Sequence, residues 1–132
     1  MSTLYVENSV GRRVTEAFAK FTKSHQWAAV YQHDRHPQMQ DRQEQGDSWW
    51  IREATADGCA ILSCDLAILD SADERACVEE VGAQIVGFAR ADYTAWQMMR
   101  ALARHWPSIE DHLQESPLVL RVSLGGPPDR LL

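Results

Sequence analysis

The sequence predicts an α/β fold, a three-layer α/β/α arrangement on a mostly parallel central sheet. Three observations carry this. Apolar strand-like runs alternate along the chain with segments whose apolar residues recur at helical spacing. The strand runs are continuously apolar, as strands covered on both faces must be. The chain has 132 residues, 45% hydrophobic and 24% charged, which makes one ordinary domain able to bury a core without staples.

The elements follow in order. Leu4-Tyr5-Val6 is a short apolar strand, and Val10, Val14, Ala17, Phe18 and Phe21 then recur at helical spacing. Trp27 to Tyr31 reads as a second strand, and His33 to Gly46, polar with Pro37, as a loop. Asp47 or Ser48 caps a helix through Trp50, Ile51 and Ala54 that Gly58 stops. Cys59 to Ser63 is a buried strand. Ser71-Ala72-Asp73-Glu74 has the pattern of a capping box, opening a helix that ends near Gly82. Gln84 to Phe88 is a strand, and Thr94-Ala95-Trp96-Gln97 a second capping box. That box opens a helix with Trp96, Met99, Ala103 and Trp106 on one face, and Pro107 starts one more helix. Leu118 to Val122 closes the sheet. Residues 1–124 thus form the domain, and 125–132, with Gly-Gly-Pro-Pro, a flexible tail.

Charge and cysteine usage exclude several classes. The net charge of −6 argues against broad polyanion binding, though not against a local basic patch. Acidity is concentrated in residues 37–86, which carry eleven acids and three bases. Cys59, Cys64 and Cys77 form no CxxC pair and read as reduced buried thiols. No apolar run reaches the roughly 20 residues that span a bilayer, and Met1 to Glu7 lacks the features of a signal peptide. A soluble cytoplasmic protein with no membrane partner is expected.

Ligands of such sheets bind beyond the carboxyl ends of the strands. Glu7 follows the first strand, Asp65 follows the third, and Asp47 opens the helix before the third. Brought to one edge, three carboxylates repel unless a cation joins them, and magnesium or manganese suits oxygen ligands. Such a site performs metal-assisted phosphoryl chemistry. Taken singly, Asp47 is equally a helix cap, and Asp65 and Glu7 solvated strand ends. His33-Asp34-Arg35-His36 lacks a third ligand at zinc spacing. His25, His105 and His112 read as surface or packing groups. Five tryptophans make a base-stacking surface conceivable, but Trp96 and Trp106 on an apolar helix face read as core. A receiver domain would need a late lysine, whereas the only lysines are Lys20 and Lys23. The Asp-x-Asp of haloacid-dehalogenase-type phosphatases is missing as well.

The order of segments resembles the PIN-like nuclease superfamily, in its short VapC-type toxin-like branch. Tyr5-Val6-Glu7-Asn8-Ser9-Val10-Gly11-Arg12-Arg13-Val14 matches the opening Asp-x-Asn-Leu-Gly-Arg-Arg stretch. Asp47-Ser48-Trp49-Trp50-Ile51 matches the Asp-x-x-Trp-like helix start, and Ile61-Leu62-Ser63-Cys64-Asp65 the strand ending in Asp. Glu74-Arg75-Ala76 leads through Gly82 to the strand at Ile85-Val86. The similarity runs over about residues 3–122, carried by the order and separation of the motifs. It implies a metal-dependent endoribonuclease, the toxin of a type II toxin–antitoxin pair. In it Glu7, Asp47 and Asp65 hold Mg²⁺ or Mn²⁺ and act as the catalytic residues. Ser9, Arg12, Arg13 and Arg75 contact the RNA substrate. A cognate antitoxin is the implied protein partner, and a homodimer suits the fold without any residue marking it. Glu7 and Ser9 stand where the family has Asp and Asn. A catalytically impaired PIN-like module that binds RNA or a partner protein is therefore the alternative.

Overall fold

The apolar runs become the strands of one sheet because each alternates its side chains between two helical layers. In the computed structural model, which describes residues 2–23, 26–39, 46–64 and 66–132, the order begins β1 (Ser2–Val6), α1 (Arg12–Phe21), β2 (Trp27–Tyr31), α2 (Gln32–Arg35) and α3 (Ser48–Ala56). It continues through β3 (Ala60–Ser63), a 3-10 turn (Ala67–Asp70), α4 (Ala72–Val81), β4 (Gln84–Phe88), α5 (Ala95–His112), β5 (Leu118–Val122) and β6 (Asp129–Arg130). The strands lie in the order β2-β1-β3-β4-β5-β6, all parallel except β6. Leu4 and Val6 of β1 pack with Val14 and Phe18 of α1 and Leu102 and Ile109 of α5. Tyr5, between them, faces Trp50 and Ile51 of α3 and Val78 of α4. Ile61, Ile85 and Val119 repeat Tyr5's side in their own strands, so three layers follow from period-two alternation.

Local signals explain the element ends. Gly82 closes α4 in the left-handed region at φ 72°, which glycine adopts without a Cβ penalty. Thr94 and Gln97 make both bonds of a capping box at the start of α5. At Ser71 only half of the box forms. Its Oγ accepts the Glu74 N–H at 3.3 Å, while the Glu74 carboxylate reaches the Asp47 N–H instead.

Four expectations are corrected. Residues 33–46 do not begin as loop, since the short helix α2 runs from Gln32 to Arg35. The buried face of α5 is Met98, Ala101, Leu102, His105, Trp106 and Ile109, and Trp96 is 72% exposed. At about 100° per residue Trp96 sits about 120° away from Leu102, off the apolar stripe. Pro107 starts no new helix but lies inside α5. Its ring removes the bond to the Ala103 carbonyl, and both residues are exposed, so water can take that acceptor. The closing residues, expected to fray, include β6, which pairs antiparallel with β5. The Leu131 N–H donates to the Val119 carbonyl at 2.8 Å, and Arg121 pairs with Asp129 at 2.6 Å. Among the described residues no helix is long and apolar enough to cross a membrane.

Gly87 in β4 shows how close the packing over the carboxyl edge is. A Cβ there would lie 2.3 Å from Leu66 Cδ2 and 2.6 Å from its Cγ. Gly87→Ala is therefore expected to cost about 1–3 kcal/mol of stability through overpacking. Leu66→Ala in the same chain should recover part of that loss. Urea unfolding checks it, and an unchanged midpoint in the single variant would mean that Leu66 swings aside freely.

Candidate functional site

β1 and β3 are neighbours, but their chains leave in opposite directions. After β1 the chain enters α1 in one layer, and after β3 it reaches α4 in the other. Such a divergence opens a crevice at the carboxyl ends of the two strands, where ligands of open α/β sheets bind.

Glu7 stands in this crevice. Its backbone N–H continues the ladder to the Leu62 carbonyl at 2.9 Å, which aligns it with Ser63. The Ser63 hydroxyl donates to the Glu7 carboxylate. Ser9 Oγ accepts the Cys64 N–H at 3.3 Å, so the turn after β1 is tied to the end of β3. A second tie comes from β2's side. Gln32 is fully buried, and its Oε1 accepts the Asn8 N–H at 2.9 Å. The Cys64 thiol meets the Ala91 carbonyl at 3.1 Å, joining the β4–α5 loop to the same edge.

Asp47 precedes α3, and its carbonyl accepts the Ile51 N–H at 3.2 Å, but its side chain caps none of the helix's backbone N–H groups. Its Oδ1 accepts the Trp50 indole N–H at 2.9 Å. Trp50 is buried and stacks on Tyr5 at 5.5 Å between ring centroids. Asp47 therefore satisfies a buried donor that would otherwise cost about 1–3 kcal/mol. Its own N–H donates to Glu74 Oε1 at 3.2 Å, which brings a second carboxylate beside it. Asp65, the third predicted acid, lies outside the described residues.

Of the predicted phosphate contacts, Arg12 is engaged. Its two Nη atoms donate to the Asp34 carboxylate at 2.8 and 2.9 Å, and the guanidinium lies 4.8 Å from the Tyr31 ring centroid. That pairing holds Asp34 below the ordinary carboxylate range. Arg13 and Arg75 are exposed and form no ion pair among the described residues. His36 bridges the buried Tyr5 hydroxyl at 2.8 Å and Glu53 at 2.6 Å, and Trp49 packs edge-on against it.

Partial burial raises the Glu74 carboxyl above the ordinary range, and the charges of Asp47 and Asp73 push the same way, against the Asp47 N–H bond. A raised folded value favours the protonated form. Glu74's contribution is thus fully present below its unfolded value and lost as pH rises through the folded one. Glu74→Gln should gain stability relative to wild type as pH increases from about 4 to 7. Urea midpoints across that range test this, and a pH-independent gap would rule it out.

A hard cation is matched in kind by the oxygen donors of the edge, a carboxylate and hydroxyls. Among the described residues, however, no three Asp, Glu, His or Cys side chains gather into a group that could hold one. Ser63, Gln32 and Glu74 escaped sequence reasoning. The capping pattern at Ser71 and the Glu74-Arg75-Ala76 stretch both mark Glu74, but neither gives it a place beside Asp47.

A sequence profile described as PIN like domain matches residues 3–90, from β1 through the end of β4. The chain belongs to the PIN-like domain family. The match takes in the Glu7 crevice, Asp47, Glu74 and the segment holding Asp65. No curated protein and no solved structure matches the chain. The three-layer sheet with its β1/β3 crevice is the PIN-like architecture, a fold of nuclease type.

Proposed function

We propose that this PIN-like domain is a metal-dependent endoribonuclease, hydrolysing RNA phosphodiester bonds at the carboxyl edge of β1 and β3. The observation that carries the reading is the Glu7 carboxylate, held by the Ser63 hydroxyl in the crevice of a nuclease-type fold. Glu7, Asp47 and Asp65 would hold Mg²⁺ or Mn²⁺, which supplies charge neutralisation at the phosphate and a more acidic water. The chain's own residues do the rest. Ser63 orients Glu7, and the Ser9–Cys64 bond fixes the turn that carries it. Arg13 and Arg75 meet backbone phosphates, while Arg12 must exchange Asp34 for phosphate to join them. The toxin role, with a cognate antitoxin as partner, rests on the sequence resemblance alone.

A second reading is favoured by a specific observation. The Asp47 carboxylate already serves the Trp50 indole. On that reading the domain is catalytically impaired and binds RNA or a partner protein. Labelled RNA incubated with Mn²⁺, Mg²⁺ or a chelator separates the two. Metal-dependent cleavage by wild type, lost in Asp65→Asn, supports the nuclease. No cleavage, with no heat of manganese binding in a calorimetric titration, supports the impaired module.

A further inference from the structure

The register of α5 leaves Trp96 the most exposed of the large apolar side chains among the described residues. The turn that carries it is fixed. The Thr94 N–H donates to Gln97 Oε1 at 2.8 Å, and the Gln97 N–H to Thr94 Oγ1 at 3.2 Å. An indole held open to water on a capped helix turn is not accounted for by packing, since its stem residue lies off the buried face.

Its place in the fold is informative. α5 starts from the carboxyl end of β4, and the connecting loop meets the β3 end through Cys64 and Ala91. Trp96 thus stands five residues beyond a contact of the Glu7 crevice. Arg100 is exposed one turn further along, at the i+4 spacing that puts it on the same side of the helix. Arg104 follows, donating to the Leu124 carbonyl at 3.1 Å. Beside this turn a groove of about 380 Å³ is lined by Arg90, Tyr93, Gln97 and Leu124, with Asp92 paired to Arg90. From Tyr93 to Ile109 the sequence contains two arginines and no acid. By contrast α4 carries four acids and one arginine, whereas the acids of α5, Glu110 and Asp111, come only at its far end.

We infer that the Trp96–Arg100 face of α5 is a stacking platform for single-stranded RNA, leading the strand toward the β1/β3 crevice. A base lies on the indole while Arg100 takes an adjacent phosphate, the combination that single-strand binders use without reading sequence. The inference rests on the reading that RNA is the substrate. A protein partner would also be attracted to an exposed indole. The one carboxylate of the groove, Asp92, is paired with Arg90, and two further arginines in line along the helix match a phosphate backbone instead.

Anisotropy of a short labelled single-stranded RNA, measured in chelator so that nothing is cleaved, tests the platform apart from the chemistry. Trp96→Ala is expected to weaken binding about tenfold, and Trp96→Phe to recover most of it. Arg100→Ala should reduce the salt slope of binding by about 0.7, the share of one phosphate contact on a single strand. Equal affinity of Trp96→Ala and wild type overturns the proposal. So does a wild type that binds no RNA but self-associates in sedimentation through Trp96. Because cleavage is scored separately with metal, Trp96-dependent binding without cleavage would sink the nuclease and leave the platform standing.

Discussion

Glu7→Gln is expected to keep the fold and to lower RNA cleavage by more than about a hundredfold. The amide is nearly isosteric with the carboxylate, and its carbonyl still accepts the Ser63 hydroxyl. The backbone bond from residue 7 to the Leu62 carbonyl is untouched by the change. What disappears is one negative charge in the crevice. On the proposed reading Glu7 is a metal ligand; partners that merely orient such a ligand are worth about 10–100-fold in activity, so losing the ligand itself should cost more. Ser63→Ala, which removes only the orienting donor, should fall within that smaller range. Single-turnover cleavage with Mn²⁺ and a thermal melt by circular dichroism give both readouts. Wild-type rates in Glu7→Gln would remove Glu7 from the chemistry, and an early melt would assign it to the fold.

Trp50→Ala is expected to reduce the unfolding free energy by about 3–5 kcal/mol, the range for deleting a large aromatic from a packed core. Trp50 is 1% exposed and fills the layer between α3 and the sheet, with Tyr5 beneath it and Ile51 and Val78 in the same cluster. Its indole N–H is satisfied by Asp47. Asp47→Ala should accordingly cost about 1–3 kcal/mol by itself. In a Trp50→Phe background the same substitution should cost much less, because no donor is left to orphan. A double-mutant cycle in urea measures the coupling. This matters for function, because an Asp47 variant can lose activity through lost stability alone. Only activity per folded molecule assigns Asp47 to a cation.

Much of the fold was legible. Trp27–Tyr31, Gln84–Phe88 and Leu118–Val122 are strands with the bounds expected of them, the first and last because polar residues or proline flank their apolar runs. Thr94 announces α5 through its cap. The face of α5 differs from the expected one because Trp96, Met99, Ala103 and Trp106 also recur at helical spacing, whereas the buried stripe follows Met98, Leu102, His105 and Ile109. At the edge of the sheet, Glu7 was found because it directly follows a strand. Ser63, Gln32 and Glu74 were not, because each is defined by a partner 24 to 56 residues away. Polar residues at strand ends carry no local pattern that names such partners.

Gln32 gives the outer strand a hold on the crevice. Among the described residues β2 has a neighbour on one side alone, so its other side is the flank most open to an incoming chain. A tug on that flank reaches the Asn8 amide through one buried carboxamide, and Glu7 is the residue just before it. Lesions in β2 can therefore mimic lesions in the crevice while touching none of its side chains, and a mutational screen would score both as one phenotype.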